Sequence, residues 1–122
     1  MTISNTALAD VANSYLFTDS DNAEVKAAVK ASSTTIYAID VDNSANAAAT
    51  FTKLWNVASG SVTVGTTAPD MIILAPANTR VGIPIPQGLA FGTALTIASL
   101  TTAGTAGTTG PTSDVIVRIV YV

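Results

Sequence analysis

The strongest fold signal in this chain is TVGTTAPDMIILAPANTRVGIPIPQGLAF, residues 63–91. This stretch holds four of the five prolines and encloses a short apolar run, Met71 to Leu74, between turn residues. Because proline removes a backbone donor and fixes φ, the mixture is typical of strands that enter and leave tight corners, not of helices. It predicts an apolar strand over 71–74 that is buried on both faces and a turn at Pro86-Gln87-Gly88. It also predicts a strand over 79–84 whose prolines indicate either an edge position or a strand end.

Alternating apolar and polar residues predict further strands on both sides of this stretch. They cover residues 24–30, 34–41, 48–57, 95–100 and 114–122, with 62–64 as a candidate short edge strand. The alanine-rich segment 24–30 leaves a helix open as an alternative. Seven or eight short strands with turn signals about every ten residues predict an all-β fold, a β-sandwich of jelly-roll type.

Two segments near the C-terminus have distinct characters. The segment 101–112, TTAGTAGTTGPT, has no large apolar residue and predicts a mobile, exposed loop. The segment 114–122 is apolar on both faces, which predicts a central or doubly covered strand, with Arg118 either ion-paired or at an interface.

Residues 1–23 stand apart from this strand pattern. An apolar set falls on one face of a helix, namely Leu8, Val11, Ala12, Tyr15 and Leu16. A short surface helix and an arm that docks on a neighbouring subunit both fit, because an isolated helix of this length is marginal. The predicted organisation is therefore an arm or helix over 1–23 and a β-sandwich domain over 24–122.

The composition excludes several function classes. Of the 122 residues only 11% are charged while 48% are apolar, and the net charge is −3 with no basic stripe, which argues against nucleic-acid binding. Histidine and cysteine are both absent, which removes the commonest general base, thiolate chemistry and disulfides. The N-terminus shows no secretory signal, and prolines and glycines break the uncharged stretch 81–113, so we expect no membrane span.

Few residues suggest chemistry. The run 19–24, DSDNAE, echoes the start of a calcium loop but lacks its glycine and its final glutamate, so an acidic turn is the default. Asp40 and Asp42 share a strand face, although carboxylate catalysis also needs a cleft. The aromatic residues Trp55, Tyr37 and Phe51 fit a core better than a stacking platform. We predict no catalytic, cofactor-binding or metal-binding residues, and no enzyme activity.

Four segments together carry a family resemblance. They are IYAIDVDNSANAAATFTKLW (36–55), TVGTTAPDMIILAPANT (63–79), IPQGLAFGTALTIAS (85–99) and VIVRIVYV (115–122). In combination, chiefly through the Asp42-Asn43 turn, TVGTTAPD and GLAF, residues 25–122 resemble small structural proteins of tailed bacteriophages, in particular capsid decoration (cement) proteins.

The resemblance implies a compact β-sandwich on the capsid surface of a virion, made in the host cytoplasm. Such a protein binds the major capsid protein and itself, typically as a homotrimer, and needs no cofactor, nucleic acid or membrane. The alternative is a head, tail-fibre or neck accessory protein that binds host glycans through the 101–112 loop or an aromatic face. An enzyme that uses Asp40 or Asp70 is the third and weakest hypothesis.

Overall fold

The computed structural model describes residues 2–8 and 14–122, and within them the chain forms nine strands and one 3-10 helix. The strands are β1 (Ile3–Leu8), β2 (Ser14–Asn22), β3 (Ala27–Lys30), β4 (Thr34–Asp42), β5 (Thr50–Trp55), β6 (Met71–Ala75), β7 (Arg80–Phe91), β8 (Leu95–Leu100) and β9 (Val115–Tyr121). The 3-10 helix spans Ser59–Ser61.

The strands form two antiparallel sheets, which confirms the predicted all-β sandwich. The first sheet has the order β1-β2-β9-β4-β7 and the second has the order β3-β8-β5-β6. Strand alternation directs apolar side chains from both sheets into one shared interior. Its large members include Phe17, Ile36, Ile39, Val41, Phe91, Val115, Val117, Ile119 and Tyr121 from the first sheet, and Val29, Leu54, Ile73, Leu95 and Ile97 from the second.

The helix hypothesis for residues 1–23 is wrong in the part that the structure describes. Residues 3–8 and 14–22 form β1 and β2, which pair with each other, and β2 also pairs with β9 over Tyr15–Asp19 and at Asn22. The hydroxyl of Tyr121 donates to Oδ1 of Asn5 at 3.0 Å and ties β9 to β1. This segment therefore extends the sandwich and raises the strand number to nine. Val11 and Ala12 of the proposed helical face lie outside the described residues.

Three predicted strand positions are confirmed and one is wrong. β9 is central between β2 and β4, and β7 is an edge strand. Of the two alternatives for 24–30, the strand is confirmed by β3. However, β6 is the edge strand of the second sheet and is not buried on both faces. Its Ile73 and Ala75 face the interior, whereas Ile72 and Leu74 are exposed.

The predicted turn at Pro86-Gln87-Gly88 is also wrong, because these residues form a bulge inside β7. Ile36 of β4 pairs with Leu89, yet Ala38 pairs with Pro84, so β7 carries extra residues opposite Tyr37. Gly88 adopts φ +80°, and a Cβ there would lie 2.5 Å from Cγ2 of Thr35. The irregularity turns Tyr37 outward, so Ile36 and Ile39 both point inward, which simple alternation does not predict.

Two loops cover part of the outer face of the second sheet. Residues 62–64 do not form a strand but belong to the loop after the 3-10 helix, and 101–112 contains neither strand nor helix. The backbone of Thr101 donates to the carbonyl of Thr109 at 3.0 Å, which closes the second loop. The loops touch each other, since a Cβ on Gly65 would lie 2.7 Å from Thr108 Cγ2. The mobility predicted for 101–112 stays a prediction.

The uncharged stretch 81–113 is divided among β7, β8 and this second loop. None of the helical structure in residues 2–8 and 14–122 is long and apolar enough to cross a membrane.

Candidate interaction surfaces

The calcium-like run 19–24 does not assemble a cation site. Asp19 is fully buried in β2 and faces the interior, whereas the main-chain N–H of Thr2 donates to Asp21 at 2.6 Å. Glu24 instead lies against Gly110. Across the described part of the chain, no group of three or more acidic side chains is placed to hold a metal ion.

Asp19 begins a buried chain of polar groups that links the two sheets. Its Oδ2 accepts from Nδ2 of Asn22 at 2.8 Å, and Oδ1 of Asn22 accepts from the Ser99 hydroxyl at 2.5 Å. The Ser99 hydroxyl lies 2.8 Å from that of Thr52, so the chain runs from β2 through β8 to β5. Burial raises the pKa of the Asp19 carboxyl because it penalises the charged form. These groups satisfy one another, which is the expected condition of polar groups inside a core.

The two candidate catalytic carboxylates on β4 share a face as predicted, but each is engaged in a structural contact. Asp40 accepts from Nε of Arg80 at 2.7 Å and from Nη1 of Arg118 at 3.1 Å. Asp42 accepts from the main-chain N–H of Ser44, and hydrogen bonding by the Ser44 side chain, together with this main-chain bond, lowers the pKa of Asp42. Pairing of Arg118, one of its two predicted alternatives, is thus confirmed. Asp70, the other candidate, accepts from the main-chain N–H of Asn56 at 2.6 Å.

The Arg80–Asp40–Arg118 triad lies on the outer face of the first sheet, which we call the triad face. Apolar side chains surround it in a shallow depression, namely Leu16, Ala38, Pro84 and Val120. No loop among the described residues covers Arg80, which keeps 58% of its side-chain exposure. The triad face is therefore an open apolar surface with two guanidinium groups and one shared carboxylate at its centre.

The outer face of the second sheet is built differently. Lys53 and Trp55 of β5 point away from the sandwich interior, yet both are fully buried because the two loops lie over them. Nε1 of Trp55 donates to the carbonyl of Thr67 at 2.9 Å, and Trp55 packs with Val62 and Ala98 in a second small apolar cluster. The prediction that Trp55, Tyr37 and Phe51 fit a core is therefore confirmed for Trp55 only. Phe51 is half-buried, and Tyr37 is exposed on the other sheet.

Lys53 is the notable polar group beneath these loops. Its ammonium donates to the Ala106 carbonyl at 3.3 Å, and no carboxylate of the described residues lies within ion-pair distance of it. Burial lowers the pKa of Lys53, because the charged form loses its hydration. Local sequence does not signal this, since the covering residues come from a loop about fifty positions away along the chain.

The part of this face that the loops leave open lies at the edge strand β6. Ile72 and Leu74 are 37% and 51% exposed, and Phe51 on the neighbouring strand is half-buried beside Leu74. We call Ile72, Leu74 and Phe51 the β6 patch. Sequence reasoning missed it, because four consecutive apolar residues fit a strand buried on both faces as well as an uncovered edge.

A third concave surface lies at one end of the sandwich, beside the 101–112 loop. It is lined by small and polar residues, chiefly Asn46, Thr50, Thr101, Pro111 and Thr112. Asn46 fixes this end, because its Nδ2 donates to the Ser113 carbonyl and its Oδ1 accepts from the Ser113 N–H. The cleft contains no aromatic or charged side chain.

Comparison with known proteins finds no family model and no curated protein that matches this chain.

Proposed function

We propose that this chain is a structural protein of a tailed-bacteriophage virion that decorates the capsid and stabilises it as an oligomer bridging major capsid protein subunits. The observation that carries the proposal is the presence of two open apolar surfaces, the triad face and the β6 patch, on the two opposite outer faces of one small sandwich. A bridging protein needs two separate contact surfaces, and contiguous exposed apolar surface marks interaction sites.

The strand order supports the same proposal. From β2 onward the strands form the sheets β2-β9-β4-β7 and β3-β8-β5-β6, the strand order expected of a jelly roll with β1 added at one edge. Jelly rolls are frequent in viral capsids, although the fold alone does not define a function. The sequence resemblance over residues 25–122 supplies the specific class.

The chemistry of the chain favours action by contact and not by catalysis. The whole sequence contains neither histidine nor cysteine. Asp40 and Asp70, the carboxylates considered for catalysis, are bonded to guanidinium or main-chain groups. Binding to an assembled shell stabilises it by mass action without any reacting group.

The decisive experiment mixes purified chain with undecorated capsids assembled from the major capsid protein encoded in the same genome. We expect occupancy of every equivalent lattice position by electron cryo-microscopy, and a higher temperature of capsid disruption. Arg80→Glu on the triad face should weaken binding, whereas Asp114→Asn, a change at an exposed residue outside that face, should not. Density at a single vertex or on the tail alone would refute the cement role.

One observation favours a second candidate, an accessory protein of the head or tail that binds host glycans. The cleft beside the predicted loop offers the hydroxyl groups of Thr101 and Thr112. The positions of the aromatic residues count against this candidate, because Trp55 is buried and Tyr37 lies on the other sheet. Glycan binding that Thr101→Val and Thr112→Val abolish, with no capsid binding, would support this candidate over cement.

A further inference from the structure

The four sheet edges of the described fold differ in how they are protected against pairing with another strand. Natural edges carry charges, prolines or bulges that block such pairing. The protective features of β7 are Arg80, Pro84, Pro86 and the bulge at Gly88. β3 ends in Lys30 and has a register shift, and β1 is rich in polar residues. β6, with the sequence MIILA, has no charge, no proline and no register shift.

Two hydrogen bonds show which backbone groups of β6 point toward β5 and which point toward the free edge. The N–H of Ser99 donates to the Ala23 carbonyl on the β3 side of β8, away from Thr52, its partner on β5. The N–H of Asp70 donates to the Leu54 carbonyl. Because successive residues of an antiparallel strand direct their backbone groups to opposite sides, Leu54 and Thr52 bond toward β6. The backbone groups of their partners on β6, Met71 and Ile73, are therefore hydrogen-bonded to β5. The N–H and C=O groups of Ile72 and Leu74 point to the free edge.

Ile72 and Leu74 therefore combine two unsatisfied features. Their side chains form the exposed β6 patch, and their backbone groups have no strand partner among the described residues. In antiparallel pairing of two β6 strands about Ile73, Ile72 of each copy lies opposite Leu74 of the other. This register bonds all of these edge groups and brings the exposed side chains together on one face.

We infer that β6 is a self-association edge, which pairs antiparallel with β6 of a second copy of this chain and joins two second sheets into one continuous sheet. The contact is isologous, so it closes as a two-fold pair. It is a contact separate from the homotrimer that the resemblance implies, because a two-fold contact does not close a trimer. It also does not require the proposed function. The contact is weak in solution, because two short edges bury less than the roughly 1,000 Å² of a stable interface.

Sedimentation of the full chain, from about 10 μM to about 1 mM, tests the inference. We expect the wild-type mass to rise toward that of a dimer. Ile72→Lys and Leu74→Lys should raise the dissociation constant at least about tenfold, which is about 1.4 kcal/mol. The matched control is Val25→Lys, at an apolar residue that is 59% exposed but lies outside β6, and it should associate as the wild type does.

Amide exchange supplies a readout that does not depend on the variants. The amide protons of Ile72 and Leu74 should become protected as the wild-type concentration rises, while those of β7 should not change. A chain that stays monomeric at about 1 mM, or a trimer that Ile72→Lys and Leu74→Lys do not disturb, overturns the inference. A monomer that still coats capsids refutes the pairing alone. A dimer that never binds capsids refutes the proposed function alone.

Discussion

The two outer faces of the sandwich place a cation in the middle of a β-sheet by opposite means. On the triad face, Arg118 stays one-third exposed and shares the carboxylate of Asp40 with Arg80. On the second sheet, Lys53 lies under a loop and, within the part of the chain that the structure describes, donates only to a main-chain carbonyl. The charge of Arg118 is compensated by a carboxylate and partly hydrated, whereas the charge of Lys53 is neither compensated nor hydrated.

This difference separates a surface suited to contact from a region that is already occupied. A guanidinium that keeps water and a carboxylate partner can be presented to another molecule at small cost. A lysine and a tryptophan under loops serve the internal packing of the monomer. The β6 patch, at the margin of the second face, remains open.

The largest expected effect tests whether the loop-covered region is a true second core. Replacing Trp55 by alanine should lower the free energy of unfolding by about 3–5 kcal/mol, because a fully buried indole leaves a cavity beside Val62 and Ala98. Denaturant titration measures the loss. Trp55→Phe should cost only about 1 kcal/mol, mainly through the lost hydrogen bond to Thr67.

The control for this change is Tyr37→Ala, at the aromatic residue that the bulge turns outward. We expect a loss of no more than about 1 kcal/mol there, since Tyr37 is 38% exposed. Equal losses for Trp55→Ala and Tyr37→Ala would contradict a packed cluster under the loops.

A smaller effect of opposite sign is expected at Lys53. Lys53→Met should raise the free energy of unfolding at pH 7 by roughly 1–3 kcal/mol, because it removes a buried charge that has no ion-pair partner among residues 2–8 and 14–122. Denaturant titration of the wild type and the variant checks this. Lys30→Met, at a partly exposed lysine of β3, should change stability little.

The pH dependence gives a second measurement of the same group. The pKa of Lys53 is lowered in the folded chain, so between that value and the ordinary value of 10.5 the unfolded chain binds more protons. The stability contributed by this group therefore rises with pH through that window. The advantage of Lys53→Met over the wild type should shrink as the pH approaches 10.5. An advantage that stays constant with pH would show that Lys53 is not desolvated.

Sequence reasoning predicted the fold class because strand alternation is a local property. It located β4, β5, β8 and β9 within a few residues, and it placed β9 at the centre of a sheet because both of its faces are apolar. It also predicted the pairing of Arg118 as one of two outcomes, since an isolated charge on such a strand needs compensation.

The predictions that failed all concern contacts between a strand and a segment that is distant in the sequence. The helical spacing of Leu8, Tyr15 and Leu16 was misleading, because pairing of β2 with β9 outweighs a weak local preference. The apolar run of β6 does not reveal that its outer face is bare, and the alternation of β5 does not reveal that loops bury Lys53. Tyr37 was misplaced because a bulge depends on residues of the opposite strand.

The smallest expected effect returns to the triad face. Asp40→Asn should destabilise the fold by only about 0.5–1 kcal/mol, because the ion pairs with Arg80 and Arg118 are partly hydrated. The difference from the wild type should decrease in about 1 M salt, where the screening length is only about 3 Å. Asp114→Asn, at an exposed carboxylate, is the control. A loss above about 3 kcal/mol would mean that the triad is as desolvated as a buried ion pair, and the contrast with Lys53 would then fail.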